Sequence, residues 1–237
     1  ILRKVSLNRV KRAEIFDLDG TLIDSRPDLA EAINKTLADW DRPPLDPAAV
    51  GDMVGDGAGV LVGRAFAARG GLPAPEVAPF LRRFLDHYEP HAADLTRPWP
   101  GVVETLERLR ARGIALAVCT NKPTRATRDI LAALGLDRFF AVVVGGDDTP
   151  ALKPDPTHVR TALDRLGVGP GEAAMVGDSL NDVLAAKGAQ VPVVVVSFGY
   201  SKVPAAELGA DLVIEHFSDL QRVIAGEEPV WENRAVP

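Results

Sequence analysis

The sequence has little of what disulfide-bonded, secreted or membrane proteins need. Its one cysteine, Cys119, allows no disulfide within a single chain. Because Cys119 ends the apolar run 114–119, we expect a buried small hydrophobic residue rather than a nucleophile or a metal ligand. The first ten residues lack an apolar stretch of signal-peptide length, and nothing later approaches the roughly 18 apolar residues of a membrane span. We therefore expect a cytoplasmic protein that does not bind a membrane.

Clusters of positive charge and of histidine are missing too. The 237 residues carry a formal net charge of −6 and contain no Lys/Arg-rich run. That charge balance argues against nucleic acid as a partner and favours a small soluble substrate. The four histidines are scattered without a metal-binding spacing, and we interpret His158 and His216 as surface or capping residues. Any metal site is therefore expected to use oxygen ligands.

Short apolar runs recur along the chain and end in polar or glycine residues. Near-continuous hydrophobicity is typical of parallel strands that are buried on both faces. Helix-length segments separate the later runs, which is typical of alternating strands and helices. We predict an α/β fold with a doubly wound, Rossmann-like parallel sheet, in which the five runs, numbered along the chain, take the order 3-2-1-4-5. The runs are 13–16, 114–119, 141–144, 173–176 and 193–196.

An inserted helical domain is predicted between the first and second runs. About 100 residues there show only helical patterns, whereas a strand crossover needs only about a dozen residues including its helix. We assign 26–97 to a helical cap domain, and 1–25 with 98–237 to the core domain. The tail 227–234 has no periodicity and is expected to be loosely ordered. The helical patterns are 27–40, 48–69 and 76–93 in the cap, and 101–112, 124–134, 156–166 and 180–187 in the core.

Four short polar segments follow the predicted strands or lie just beyond them. They are Asp17-Leu18-Asp19-Gly20-Thr21, Thr120-Asn121, Lys153-Pro154 and the segment 177–182. In an open parallel sheet, ligands bind beyond the carboxyl ends of the strands, so these segments are expected to meet in one crevice. The predicted cap domain is suited to cover that crevice.

The first segment carries two carboxylates across a turn that Gly20 permits. Such a pair suits a nucleophile, Asp17, and a separate acid/base, Asp19; the alternative is a turn that caps the following helix. Thr120 and Asn121 are suited to bind an anion at a helix N-terminus, or to cap that helix. Taken alone, Lys153 is also compatible with a solvated lysine before a helix.

The segment 177–182 places Asp178 at a strand end and Asp182 one helical turn later, so that both carboxylates can face one ion. Oxygen ligands without histidine or cysteine indicate Mg²⁺ rather than zinc. In the cap, a glycine-rich turn at 54–59 precedes a helix that carries Arg64. This turn and Arg64 are expected either to meet a substrate carboxylate or to serve close packing only.

Together these segments resemble the haloacid dehalogenase superfamily of phosphatases, over residues 11 to 220. The helical insert resembles the cap of the branch in which the cap follows the first strand. Within that branch the sequence looks most like phosphoglycolate phosphatases. The segments that carry this closer likeness are 24–25, Tyr88, 100–102, 120–123, 145–148 and 199–200.

The resemblance implies a Mg²⁺-dependent phosphatase, with 2-phosphoglycolate the leading candidate among small phosphorylated metabolites. It implies that Asp17 forms an aspartyl-phosphate and that Asp19 acts as acid and then as base. Dehalogenases and phosphonate-cleaving relatives lack the second acid, so Asp19 favours cleavage of a phosphoester or phosphomutation. The implied metal ligands are Asp17, the backbone carbonyl of Asp19, Asp178 and, directly or from the outer shell, Asp182; the implied phosphate-binding residues are Gly20, Thr120, Asn121 and Lys153.

Two other activities remain as alternatives at this point. One is a phosphosugar mutase or pyrophosphatase on the same scaffold, and the other is a non-catalytic regulator that binds Mg²⁺ and phosphate. The presence of both Asp17 and Asp19 argues against the regulator, because binding alone needs neither a nucleophile nor an acid. We expect a monomer or a homodimer.

Overall fold

A computed structural model describes residues 12–221 of the chain. Two predictions concern residues outside this range: the lack of a signal peptide in the first ten residues, and the loose order of the tail 227–234. The strands are β1 (Ala13–Phe16), β2 (Ile23–Asp24), β3 (Arg97–Pro98), β4 (Ala115–Cys119), β5 (Val142–Val144), β6 (Ala173–Gly177), β7 (Val193–Val196) and β8 (Leu212–Ile214). The α-helices are α1 (Arg26–Ala38), α2 (Pro47–Gly51), α3 (Ala58–Ala67), α4 (Ala78–Tyr88), α5 (Val102–Ala111), α6 (Thr124–Ala133), α7 (Thr157–Leu166) and α8 (Leu180–Gly188).

Six strands form a parallel sheet in the order β5-β4-β1-β6-β7-β8. The predicted doubly wound α/β fold and its order 3-2-1-4-5 are confirmed, and β8 extends the sheet by one edge strand that the sequence analysis did not predict. In register, Phe16 lies opposite Val118 of β4 and Val176 of β6. Because β1 is central and its neighbours end at the same level, the residues that follow these three strands come together at one edge.

Alternate residues of the sheet pack into two separate apolar layers. One layer contains Phe16, Val118 and Val176 with side chains of α5 and α6. The other contains Ile15, Cys119 and neighbouring small residues with side chains of α7 and α8. The strands are thus buried on both faces, as their continuous hydrophobicity predicts.

The helices α1 to α4 lie between β2 and β3, which pair antiparallel where this segment leaves and rejoins the sheet. The pattern 48–69 predicts one helix, and that prediction is wrong: α2 and α3 are separate. Gly55 and Gly57, between them, adopt φ values of 118° and 91°. Residues in this region of conformational space cannot continue a right-handed helix, so the chain turns there.

The buried carboxylate of Asp28 connects the two ends of the helical segment. It lies on α1 and accepts hydrogen bonds from the backbone N–H of Thr96 at 2.7 Å and from its Oγ1 at 2.6 Å. It also accepts from the backbone N–H of Leu95 at 3.0 Å. These contacts fix the start of α1 against the strand that returns to the core.

An aromatic cluster stabilises the helical segment. The ring centroid of Phe66 lies 5.9 Å from that of Trp40 and 4.9 Å from that of Phe80. Because Phe66 is fully buried between them, it joins α3 to α4 and to the end of α1. Within residues 12–221, none of the helices combines the length and the apolar character that crossing a bilayer requires.

Truncation of Phe66 tests the importance of this cluster. Phe66→Ala is expected to lower the free energy of unfolding by about 3–5 kcal/mol, because it leaves a cavity between two rings. Urea denaturation followed by circular dichroism measures the effect. Val60→Ala, on the exposed face of the same helix, is the matched control and should change stability by less than about 0.5 kcal/mol. Equal effects of the two substitutions would contradict the role of the cluster.

Candidate active site

A buried lysine lies at the centre of the site, where β1 and β4 end. Lys153 Nζ donates to Asp17 Oδ1 at 2.7 Å, to Asp182 Oδ1 at 2.6 Å and to the backbone carbonyl of Cys119 at 2.8 Å. An ammonium has three N–H donors, so these three acceptors use all of them. The lysine is therefore fixed between two elements of the sheet rather than solvated.

Three carboxylates surround this one ammonium. Asp17, Asp178 and Asp182 are buried, and one oxygen of each lies within 4.8 Å of the others. Burial, together with the charge of Asp182, raises the pKa of Asp17 to about 6, although Lys153 opposes the shift. Burial, Asp182 and Asp17 raise the pKa of Asp178 well above its usual range. The cluster has an excess of negative charge, and its oxygen donors fit a hard divalent cation.

Asp182 is held in the first turn of α8. Its Oδ2 accepts from Ser179 Oγ at 2.6 Å, from the Ser179 backbone N–H at 3.0 Å and from the Asp178 backbone N–H at 3.2 Å. Its Oδ1 accepts from Lys153. Both oxygens of Asp182 therefore already have donors, and the side chain orients Lys153 and the turn that carries Asp178.

Two glycines allow the Asp178 side chain to lie where it does. Asp178 Oδ2 accepts from the backbone N–H of Tyr200 at 2.7 Å, and Thr21 Oγ1 donates to Oδ1 at 3.3 Å. A Cβ atom at Gly20 or at Gly199 would collide with the Asp178 side chain. Gly20 also has a φ of 88°, which side-chain-bearing residues rarely adopt.

Asp19 lies apart from the acidic cluster and has its own partners. It accepts from Ser25 Oγ at 2.6 Å and from Lys122 Nζ at 3.0 and 3.2 Å. Lys122 is nearly buried, with 8% of its side chain exposed. Burial is the largest single influence on Lys122 and works to lower its pKa, but the Asp19 carboxylate and the Tyr88 hydroxyl together outweigh it, so that pKa lies above its usual value. The two acids of the first motif thus have different environments.

Lys122 and Tyr200 are site residues that sequence reasoning did not assign a role. Tyr200 accepts from the Ser25 backbone N–H at 2.7 Å and donates to Asp24 Oδ1 at 2.9 Å. Its own backbone N–H holds Asp178. Both residues lie in short segments typical of the resembled family, which is the only sequence signal that could have indicated them.

Thr120 and Asn121 follow β4 and are almost completely buried. The Asn121 side chain donates to the backbone carbonyls of Lys153 and Gly55, both at 2.9 Å, and accepts from the Lys153 N–H at 2.8 Å. Asn181 Nδ2 in turn donates to Asp56 Oδ1 at 2.7 Å. The two asparagines therefore connect the turn before α3 to the edge of the sheet.

The residues from the sheet edge and the helical segment enclose a cavity of about 310 Å³. Asp17, Gly55, Tyr88 and Lys153 are among its walls. Pockets for small ligands begin at about this volume, so the space suits a small molecule. The further polar lining residues used below are Asp19, Thr120, Asn121, Lys122, Asp178 and Tyr200.

Of the predicted site residues, Gly20 and Asp182 contact Asp178 but do not line the cavity itself. Arg64 is the third that does not line it. It lines an adjoining, more open depression, where it forms an ion pair with Asp56 and donates to the Met53 carbonyl at 3.0 Å. Its contact with a substrate carboxylate stays a prediction.

Two expectations about individual buried residues have different outcomes. Cys119 is fully buried and burial raises the pKa of its thiol to about 12, so the expected inert hydrophobic residue is confirmed. The surface or capping position expected for His158 is wrong. His158 lies on the buried face of α7, and its Nε2 lies 3.0 Å from the Gly145 carbonyl oxygen.

A doubly wound α/β sheet that carries a buried lysine and acidic side chains at its carboxyl edge has the architecture of an α/β enzyme. The sequence model of the haloacid dehalogenase-like hydrolase family matches residues 11–190 of this chain. A phosphoglycolate phosphatase of Rhodospirillum rubrum is 52% identical, over 88% of this chain and 89% of the relative. One of Caulobacter vibrioides is 49% identical, over 87% and 88%.

Solved structures give the same result. A crystal structure described as a predicted phosphoglycolate phosphatase from Haemophilus somnus superposes with a TM-score of 0.86 at 36% identity, over 91% of this chain and 99% of that one. The chain belongs to the haloacid dehalogenase-like hydrolase family, and the resemblance inferred from its motifs is confirmed.

The raised pKa values of Asp17 and Asp178 predict how a divalent cation changes stability. A carboxyl whose pKa is higher in the folded than in the unfolded state stabilises the fold below about pH 4, and this contribution is lost as the pH rises through the folded value. In EDTA, the protein should therefore lose stability between about pH 4 and pH 7. Mg²⁺ should raise the melting temperature more at about pH 7.5 than at about pH 5.

Asp178→Asn isolates this effect. In EDTA at about pH 7.5 the variant should melt at a higher temperature than the wild type, because it removes one of three crowded charges, and Mg²⁺ should no longer stabilise it. Scanning calorimetry measures both quantities. The control is Asp129→Asn, an exposed position on α6, which should keep the full response to Mg²⁺. A variant less stable than the wild type in EDTA would show that the crowding argument is wrong.

Proposed function

We propose that the chain is a Mg²⁺-dependent phosphatase of a small phosphorylated metabolite, and that 2-phosphoglycolate is its leading candidate substrate. The observation that carries the proposal is the pairing of Asp17 with Lys153 beside two more buried carboxylates, in a cavity that Asp19 also lines. The relatives named phosphoglycolate phosphatase support the choice of substrate. The cavity, at about 310 Å³, is large enough for such a substrate.

In the first step, Asp17 attacks phosphorus and an oxygen–phosphorus bond forms while the ester oxygen–phosphorus bond breaks. Lys153 already binds Asp17 Oδ1, which leaves Oδ2 as the attacking oxygen. The Lys153 ammonium reduces the repulsion between this carboxylate and an anionic phosphate. Asp19 gives its proton to the leaving alkoxide, so that an alcohol departs and an aspartyl-phosphate remains.

In the second step, Asp19 takes a proton from a water molecule that attacks the aspartyl-phosphate. Phosphate leaves and Asp17 is restored. Ser25 Oγ, at 2.6 Å from Asp19, orients the carboxylate for both proton transfers. The separation of Asp19 from the acidic cluster supports this division of roles, because the two acids have different partners.

The residues that would hold Mg²⁺ are Asp17, the backbone carbonyl of Asp19 and Asp178, with Asp182 acting through its contacts to Lys153 and to the Asp178 backbone. The bound ion would supply electrostatic stabilisation of the phosphoryl oxygens and would neutralise the excess charge of the cluster. Thr120 and the backbone N–H of Asn121 are proposed to bind the phosphoryl group, whereas the N–H groups of Gly20 and Thr21 already donate to carbonyls within their own turn. The Asn121 side chain, with its donors already used, instead orients Lys153.

We also propose that residues 26–97 act as a cap domain over this cavity. Support comes from the hydrogen bonds of Asn121 and Asn181 to Gly55 and Asp56, which hold the turn before α3 against the sheet edge. A closed cap excludes water, which strengthens the electrostatic interactions inside and protects the aspartyl-phosphate from uncontrolled hydrolysis.

Replacement of the nucleophile tests the proposed function. Asp17→Asn should lower phosphate release from 2-phosphoglycolate by more than about 1,000-fold, because an amide cannot form the covalent intermediate. A phosphate-release assay with Mg²⁺ and with EDTA measures the loss, and EDTA should abolish the wild-type activity. Circular dichroism and the melting temperature confirm that the variant is folded. Activity retained by the folded variant would refute the nucleophile assignment.

The acid role of Asp19 predicts a dependence on the leaving group. Asp19→Ala should lower kcat on 2-phosphoglycolate by about 100-fold or more, because its alkoxide is a poor leaving group without a proton. On p-nitrophenyl phosphate, whose phenolate leaves readily, the loss in the first step should be much smaller. Burst kinetics separate the two steps. The same loss of the first step on both substrates would argue against Asp19 as the general acid.

A further inference from the structure

We propose that Lys122, assisted by the hydroxyl of Tyr88, binds the carboxylate of the substrate and so makes the enzyme specific for phosphate esters of 2-hydroxy acids. The inference rests on the proposed function, since it names the group that recognises the organic part of the substrate. It assigns this role to the sheet edge and α4 rather than to Arg64.

The charges of the cavity single out Lys122. Among the residues 12–221 that line it, the cationic side chains are Lys122 and Lys153. Lys153 has its three donors on Asp17, Asp182 and a carbonyl oxygen, so none remains for a substrate carboxylate. Both hydrogen bonds of Lys122 Nζ go to a single carboxylate, that of Asp19. An ammonium with three donors therefore retains one, for which the neighbouring Tyr88 hydroxyl and a substrate carboxylate are the available acceptors.

The position of Lys122 matches the geometry of a 2-hydroxy-acid ester. Asp19 is proposed to protonate the ester oxygen, so that oxygen must lie beside the Asp19 carboxylate. In 2-phosphoglycolate a single methylene carbon separates the ester oxygen from the carboxylate carbon. A carboxylate so close to the ester oxygen lies within reach of the cation that Asp19 holds, and that cation is Lys122, at 3.0 Å. The ammonium then lies between Asp19 and the substrate carboxylate, and its charge attracts the carboxylate.

Tyr88 lies beside Lys122 and adds a second polar group to the same place. It lines the cavity and is 3% exposed, and its hydroxyl interacts with the Lys122 ammonium but makes no hydrogen bond of full geometry to any residue in 12–221. Lys122 Nζ lies 4.9 Å from the centroid of its ring. A buried hydroxyl without a full hydrogen bond is unfavourable, and a substrate carboxylate would satisfy it.

The two residues come from different parts of the fold. Lys122 follows β4, whereas Tyr88 ends α4 of the helical segment. The subsite is therefore complete only when this segment lies over the sheet edge. Glu89, the next residue along, also lines the cavity but is exposed, and its charge disfavours larger acidic substrates that would extend towards it.

Arg64, the cation that the sequence analysis connects with a substrate carboxylate, does not fit this role. Its guanidinium forms an ion pair with Asp56 and lines the adjoining depression. A carboxylate bound there would be separated from the leaving oxygen by the turn that Asn121 and Asn181 hold against the sheet edge.

A pair of matched substrates tests the proposal. Ethyl phosphate is 2-phosphoglycolate with the carboxylate replaced by a methyl group. The quantity to measure is kcat/KM for 2-phosphoglycolate divided by kcat/KM for ethyl phosphate, in Mg²⁺. Lys122→Met should lower this ratio about 10- to 100-fold, the usual effect of losing one charged hydrogen bond. Lys122→Arg should restore part of it, and Tyr88→Phe should lower it by a smaller factor.

The control is Lys35→Met, the same substitution on the exposed face of α1, which should leave the ratio unchanged. An equal loss on both substrates in Lys122→Met would mean that Lys122 acts only by positioning Asp19, and would overturn the proposal. The wild type could prefer 2-phosphoglycolate while Lys122→Met leaves the ratio unchanged. That result would overturn this inference but leave the proposed function intact.

A binding measurement decides the question independently of turnover. In the Asp17→Asn background, calorimetry should give a higher affinity for 2-phosphoglycolate than for ethyl phosphate, and adding Lys122→Met should remove most of the difference. If the difference in affinity between the two ligands were the same with and without Lys122→Met, the proposal would be overturned. This holds even for a protein that releases no phosphate. Absence of phosphate release from any monoester by the wild type would instead refute the proposed function alone.

Discussion

The rest of the site depends on one buried ammonium shared between carboxylates. Lys153 binds Asp17 at 2.7 Å and Asp182 at 2.6 Å, and Asp178 lies close enough for the three acids to meet one ion. Burial makes each charge expensive unless it is paired, and one cation cannot neutralise three anions. The fold therefore maintains a local excess of negative charge that a divalent cation relieves. That excess is both the cost of the site and the source of its affinity for a metal.

The parallel sheet makes this concentration of charge possible. Asp17 follows the central strand, whose neighbours end at the same level, so Thr120 and Asp178 come to the same edge without any long loop. The lysine arrives from a separate loop and is fixed by Asn121, which binds its backbone on both sides. The same asparagine donates to Gly55 of the helical segment. One side chain thus connects the orientation of the ammonium to the position of the segment above it.

Local patterns were sufficient to predict the features that depend on neighbouring residues. Continuous apolar runs predicted the strands, and their alternation with helices predicted parallel strands. The strand order, which decides which side chains meet, follows from the particular doubly wound fold and not from the alternation itself. β8 and the split between α2 and α3 were not predicted. The first is an edge strand of three residues, and the second depends on positive φ values at Gly55 and Gly57, which glycine permits but does not require.

Features that depend on long-range burial could not be predicted in this way. Lysine and histidine are usually exposed, so nothing local indicated that Lys122 pairs with Asp19 or that His158 packs under Gly145. Arg64 was expected at the site but lies outside the cavity, because Asp56 provides a nearer partner there. For the proposed small acidic substrate, a cation buried beside the reacting atoms explains recognition better than one on the surface of the helical segment. A buried ammonium is only weakly hydrated, so it gives up little on meeting a carboxylate, whereas an exposed guanidinium must exchange water for its ligand.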